Sequence, residues 1–373
     1  MSAVVESIET LLVDLPTIRP HKLSMTTMAC QTMVIVRMRH SDGLEGLGEG
    51  TTIGGLAYGP ESPESIKCNI DTYLAPLLIG QPSNSINALR ARMNRHVRGN
   101  AIAKSALETA LLDAQGKRLG LSVAELLGGA RQTHLPVLWT LASGDTARDI
   151  DEAFQRLDER RHGDFKLKIG ARPVDEDVAH VAAIKAALGD RASVRVDVNQ
   201  AWDEGTAVRG IAALQDAGIA LIEQPIDARN HAGLVRLAER FRVPMLADEA
   251  VADARDGYEL AARGFSGAVA LKIAKAGGPL GALELAGLAR TVGMGLYGGT
   301  LLEGTVGTAA ALHAWATLPE LAWGSEMFGP LLLTDDIVAE PLDYRDFGVA
   351  LPAGPGLGIT LDEDKLAHYS RKH

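Results

Sequence analysis

Little in this chain points to a secreted, membrane-bound or nucleic-acid-binding protein. Only two of its 373 residues are cysteine, Cys30 and Cys68, and neither lies in a CxxC or Cys/His spacing. That leaves no disulfide framework or thiolate metal site to build on, and both cysteines read as buried packing residues. No apolar run reaches the length of about 18 residues that a membrane helix needs. The opening MSAVVESIET lacks the basic-then-apolar order of a signal peptide, so a cytoplasmic protein with no membrane partner is expected. A basic surplus is missing too. The net charge of −10 argues against nucleic acid, whose phosphates are bound by basic surfaces. An anionic small molecule remains compatible where a cation and lysines invert the field locally.

What is present is an ordinary globular mixture, 46% apolar and 23% charged, in a length that suits a barrel of roughly 200 to 250 residues plus a smaller companion. From about residue 137 an apolar strand followed by an amphipathic helix recurs. The strands are expected at VLWTLAS (137–143), FKLKIG (165–170), VRVDVN (194–199), ALIEQP (220–225), PMLADE (244–249), AVALKIAK (268–275) and MGLYGG (294–299), with a weaker eighth at LAWGSE (321–326). Between two of them, Val174, Val178, Val181, Ile184 and Leu188, closed by Gly189, have the period of one buried helix face and its stop. Seven or eight such units make a parallel α/β barrel. The region 1–130 differs, with period-2 segments near 4–15 and 32–40, a hairpin-like SDGLEG (41–46) and then helices ending in KRLGLSVAELLGG (117–129). It reads as an α+β domain, leaving 131–330 for the barrel and the Pro- and Gly-rich 331–373 as a tail that returns to the first domain.

Charge falls in phase with the barrel repeat. Lys166 and Lys168 share one face of FKLKIG because strand side chains alternate. Lysines among apolar residues require anionic partners, and the next strands supply Asp197, Glu223 and Asp248, followed by Lys272. Successive spacings of 29, 26, 25 and 24 residues from Lys168 put one charged residue per unit at one height, the C-terminal mouth where barrel enzymes work. A lone acid at a strand end is usually a helix cap or a surface residue. Five charged residues in phase do not fit that account, because barrel interiors are normally filled by branched apolar side chains. Three carboxylates with no His or Cys nearby suit a hard cation, Mg²⁺ or Mn²⁺. Such a cation on a substrate carboxylate stabilises an ene-diolate while a lysine moves the proton, and charge counting is consistent with a dicarboxylate substrate. Asn199 and Glu249 suit either a supporting or a loop-forming role. The GGT of YGGTLLEG (297–304) suits either a binding loop or a tight turn.

KLK (166–168), VDVN (196–199), EQP (223–225), ADE (247–249) and ALKIAK (270–275), in this order and spacing, resemble the muconate lactonizing branch of the enolase superfamily, and the resemblance spans essentially the whole chain. VDLPTIRPHKL (13–23), TTIGGLAYG (51–59), SALETALLDAQGKRLGL (105–121), WTLASGDTARDI (139–150) and FGPLLLTDDIV (328–338) strengthen it. The resemblance implies a modified TIM barrel with a capping domain. It makes Asp197, Glu223 and Asp248 ligands of Mn²⁺ or Mg²⁺, Lys168 the general acid/base, Lys166 its support, Lys272 the opposite wall and Glu326 an acid near the enolate. His21, Ile53, Tyr58 and Phe328 would line the substrate pocket, although Ile53 and Phe328 equally suit plain packing between domains. The implied reaction is reversible closure of cis,cis-muconate to muconolactone, a step of aromatic degradation through catechol and β-ketoadipate, in a homo-oligomer, often an octamer. Chloromuconate cycloisomerases, dipeptide epimerases and succinylbenzoate synthases share the ring and differ in their capping loops. A Schiff-base aldolase using Lys168 or Lys272 and a noncatalytic metal-binding scaffold are the alternatives from other classes.

Overall fold

Alternating side-chain burial along the first fifty residues builds a three-stranded antiparallel sheet in the computed structural model, which describes residues 3–22 and 26–372. Leu23, the end of the VDLPTIRPHKL segment, lies outside the described residues. Strand β1 (Val5–Lys22) pairs with β2 (Thr27–His40), which pairs with β3 (Glu45–Thr51). The helix Ala101–Leu119 lies against β3. A Cβ on Gly46 or Gly48 would stand 2.0 or 1.9 Å from the carbonyl oxygen of Ala110 or Ala106, so only glycine permits this approach.

Both cysteines prove exposed rather than buried. Cys30 lies on the outer side of β2, next to inward-facing Gln31. Cys68 lies on the outer face of the helix Pro63–Asn69, whose Pro63 and Ile66 are buried. The period of each element, not the apolar character of the thiol, decides the outcome.

A short strand β4 (His134–Pro136) leads into seven parallel strands in chain order: β5 (Trp139–Leu141), β6 (Asp164–Lys168), β7 (Ser193–Asp197), β8 (Ile222–Glu223), β9 (Met245–Ala247), β10 (Ala268–Leu271) and β11 (Gly295–Gly298). Covered on both faces, they read as near-continuous apolar runs. The eighth expected strand is one residue deep. Ser325 forms parallel bridges to Gly298 at the end of β11 and to Val137 just before β5, and these bridges close the barrel. Helix Val174–Leu188 buries Val181, Ile184 and Leu188 as its period requires, together with two polar residues, Asp177 and His180.

The tail forms β12 (Tyr344–Arg345) and β13 (Gly348–Ala350), and β13 pairs with β4. Farther on, Ser370 bridges Val13 of β1, and Arg371 donates to Asp14 at 2.8 Å. Buried Asp113 of helix Ala101–Leu119 accepts from Leu47 N and Leu357 N, both at 2.8 Å, which ties β3, that helix and the tail together. Among the described residues, no helix is long and apolar enough to cross a membrane.

Candidate active site

Lys166 stands in the middle of β6, and the other charged residues of the ring stand at or just beyond the C-terminal end of a barrel strand: Lys168 on β6, Asp197 on β7, Glu223 on β8, Asp248 after β9 and Lys272 after β10. Register keeps them level, since Lys168 pairs with Asp197 and Asp197 with Glu223 across adjacent strands.

On one side Lys166, wholly buried, is 2.9 Å from Glu223 and 2.6 Å from Glu326. Lys168 donates to Asp197 at 2.5 Å. On the other side Lys272 donates to Asp248 at 2.6 Å and to the Tyr58 hydroxyl at 3.0 Å. Burial alone would lower the Lys166 and Lys272 pKa values, but Glu223 and Glu326 beside the first, and Asp248 beside the second, raise both well above the usual lysine range. Asp248 is correspondingly held low by Lys272 and Lys275 against the opposing effect of burial.

Eight of the candidate residues, His21, Ile53, Tyr58, Lys168, Asp248, Lys272, Glu326 and Phe328, line one narrow cavity between the capping domain and the barrel mouth. Lys166, Asp197 and Glu223 are buried in the ring beside it. Phe328 is fixed by the Trp139 ring at 5.3 Å between centroids. His21 is buried, and desolvation together with the charges of Lys168, Arg19 and Lys166 pushes its pKa down to about 3, so the imidazole is neutral. Asn199 also borders the cavity and donates to Glu249 at 3.1 Å. Thr300 of the GGT segment is on the wall as well, so that segment is a cavity loop and not merely a turn.

Sequence reasoning missed Thr140 and Leu302 on the wall. It also missed Lys275, which donates to Asp248 Oδ1 and O at 2.6 Å and to Val251 O at 2.9 Å, and Gln224, whose side-chain oxygen accepts from Asp248 N at 3.0 Å and Ala250 N at 3.1 Å. The i, i+3 lysine pair in ALKIAK was the available signal for Lys275.

The donor chemistry suits a hard cation. Oxygens of Glu223, Asn199 and Glu249 are buried there without a hydrogen-bond partner. Burial, followed by the charge of the neighbouring carboxylates, raises Glu223 well above the usual range and Glu249 to about 7. A dication would relieve that repulsion. Among the described residues, however, no three acidic, His or Cys groups stand gathered into a ready-made cage; the lysine ammoniums are what the carboxylates contact instead.

Two family models cover the chain: "Mandelate racemase / muconate lactonizing enzyme, N-terminal domain" over residues 7–128 and "Enolase C-terminal domain-like" over residues 148–365. The chain is 58% identical to muconate cycloisomerase 1 of Pseudomonas putida over the full length of both. It is 48% identical to the chloromuconate cycloisomerase of Pseudomonas sp. (strain P51), covering 98% of this chain and 99% of that one. Among solved structures, the muconate lactonizing enzyme of Pseudomonas fluorescens complexed with muconolactone matches with a TM-score of 0.98 at 60% identity, over 100% of both chains.

Proposed function

The chain belongs to the mandelate racemase / muconate lactonizing enzyme family of enolase-type barrels, and from that premise we propose that it interconverts cis,cis-muconate and muconolactone, an isomerase reaction in aromatic degradation. The observation that carries this reading is the cavity itself. It sets Lys168 and Glu326 on one wall and the Lys272–Asp248 pair on the other, under Ile53 and Tyr58 from the capping domain.

One carboxylate of cis,cis-muconate closes onto the diene and forms the C–O bond, while electron density moves to the carbon beside the other carboxylate. Lys168 Nζ gives its proton to that carbon and regains one from solvent before the next turnover, a general-acid contribution of about 10² to 10⁴-fold. Lys166, held by Glu223 and Glu326, keeps a fixed positive charge beside the developing enolate, and Lys272 does the same from across the cavity. Asp197, Glu223 and Asp248 are the residues to hold a divalent cation. When bound, the cation supplies Lewis-acid stabilisation of the enolate charge worth several kcal/mol, with Mn²⁺ and Mg²⁺ both suited to oxygen donors. His21, Ile53, Tyr58 and Phe328 shape the pocket and exclude water. A cytoplasmic homo-oligomer, an octamer by resemblance, completes the reading.

Identity of 58% with muconate cycloisomerase 1 against 48% with the chloromuconate enzyme favours the unchlorinated substrate. The test is incubation of the purified protein with Mn²⁺ and cis,cis-muconate while following loss of the conjugated-diene absorbance and identifying the product by NMR. Intact diene after prolonged incubation, with metal shown to be bound, overturns the proposal.

A further inference from the structure

The loop that follows β11 borders the cavity through Thr300 and Leu302, and Leu302 has a left-handed backbone with φ +62°. For a leucine this conformation is strained by about 1–2 kcal/mol and persists only where its surroundings fix it. Here two side chains of the capping domain do so. Gln31 of β2 is buried, and its amide donates both protons to the loop, to Leu301 O at 3.1 Å and Leu302 O at 2.9 Å. Glu49 of β3 is also buried, and its carboxylate accepts from Gly304 N and Gly307 N at 2.7 Å each, capping the barrel helix Thr305–Ala316 from the neighbouring domain. Thr300 Oγ1 accepts from Leu302 N at 2.8 Å and donates to Glu303, which closes the loop on itself. The fit is tight, since a Cβ on Gly304 would stand 2.5 Å from Met33 Sδ of β2.

We infer that Gln31 and Glu49 are positioning residues for substrate binding: they hold Leu302 in its left-handed conformation and thereby let the capping domain set the shape of the barrel side of the pocket. Neither lines the cavity; both act through the loop. Glu49 lies four residues before Ile53 on the same segment, so one stretch of the capping domain forms one wall of the pocket and anchors the other. The inference rests on the proposed reaction only for its choice of substrate.

The test is a double-mutant cycle on kcat and KM for cis,cis-muconate with wild type, Gln31→Met, Leu302→Gly and the double variant. Glycine takes a left-handed φ without help, so the amide has less to hold in the Leu302→Gly background. Gln31→Met should raise KM about five- to tenfold in the wild-type background with kcat nearly unchanged, and less than about twofold in the Leu302→Gly background. Equal effects in both backgrounds, or a fall in kcat at constant KM, overturn the inference. Glu49→Gln, which weakens the second capping-domain anchor at Gly304 N and Gly307 N, gives the same cycle if Gln31→Met does not fold. Hydrogen exchange of the 300–304 amides supplies a readout without substrate. Gln31→Met should expose them, and unchanged protection also overturns the inference. Wild-type inactivity toward muconate would instead count against the proposed reaction and leave the exchange experiment to decide this one.

Discussion

The two banks of the active site each carry a pair of lysines, and they use them differently. On the β6 bank the pair is two residues apart in a strand, so Lys166 and Lys168 share a face but not a depth. Lys166 is sunk onto Glu223 and Glu326, whereas Lys168 rests on Asp197 with its side chain 13% exposed to the cavity. On the β10 bank the pair is three residues apart in a turn, and Lys272 and Lys275 converge on the single carboxylate of Asp248. One bank spreads two charges over three carboxylates and leaves one ammonium at the cavity edge. The other places two charges on one carboxylate and holds them there. On the proposed reaction, the first bank is the reactive one and the second an electrostatic wall.

The largest effect should come from removing what both banks serve. Chelation of the divalent cation should abolish turnover reversibly, because enolate charge then lacks several kcal/mol of stabilisation; metal analysis alongside the assay checks this, and full activity in metal-free protein would refute it. Next, Lys168→Ala should lower kcat by at least about 10² to 10⁴-fold while metal binding, read by calorimetry, changes little. In D₂O the wild type should place a single deuterium on the lactone carbon beside the carboxylate. A product without solvent hydrogen there would remove the reactive bank from the chemistry.

A stability measurement probes the β6 side in a different way, because a buried imidazole, His21, lies near its two lysines. With the His21 pKa lowered from 6.5 to about 3, the unfolded chain binds a proton below pH 6.5 that the folded chain refuses. Stability contributed by the neutral ring is therefore whole above pH 6.5 and is lost as pH falls toward 3, by an amount on the order of a few kcal/mol. Urea unfolding between pH 7.5 and 4 should show this slope in the wild type and a flatter one in His21→Gln. Parallel curves would mean that His21 is solvated or charge-paired in solution. On the opposite bank, Lys275→Met should cost about 1–3 kcal/mol of stability, since the carbonyls of Asp248 and Val251 lose a buried donor. Deuterium incorporation should stay intact. A loss of incorporation equal to that of Lys168→Ala would erase the distinction between the banks.

The β6 bank was legible in the sequence and the β10 bank only half so, for a geometric reason. Alternation puts Lys166 and Lys168 together without further information, and equal spacing from unit to unit finds Asp197, Glu223, Asp248 and Lys272. The strand expected over 268–275 ends at Leu271, and a turn closed by Ala276 N to Lys272 O at 3.2 Å brings Lys275 back to Asp248. Extended geometry would have pointed Lys275 away from Lys272. Barrel closure was also hidden, because LAWGSE contributes one bridging residue where alternation expects a strand. Gln31 and Glu49 gave no signal at all. Each is a polar residue on the inward face of a strand in another domain, and its partners are backbone groups some 250 or more residues away.

The smallest effect concerns the apolar residues between the banks. Ile53 follows β3 on the segment that carries Tyr58, whose hydroxyl accepts from Lys272, whereas Phe328 meets the Trp139 ring of β5 in a tilted contact, beside the β6 bank. Each should favour unsubstituted muconate over chloromuconates, whose added atom needs room. Trimming an apolar pocket by about a methylene alters discrimination by about 1 kcal/mol, the low end of the range for such misfits. Plain packing is the competing account, and it makes a different forecast: loss of buried methyl groups lowers stability by about 0.5–1.5 kcal/mol for Ile→Val and treats both substrates alike. The comparison is kcat/KM for muconate and 3-chloromuconate in wild type, Ile53→Val and Phe328→Ile, with thermal unfolding measured on the same samples. Because Phe328 is anchored by a ring contact and Ile53 by a loop, Phe328→Ile should show both a ratio change and a lower Tm, and Ile53→Val chiefly the ratio change. A constant substrate ratio with a falling Tm in both variants would make these residues domain packing and confine specificity to the polar banks.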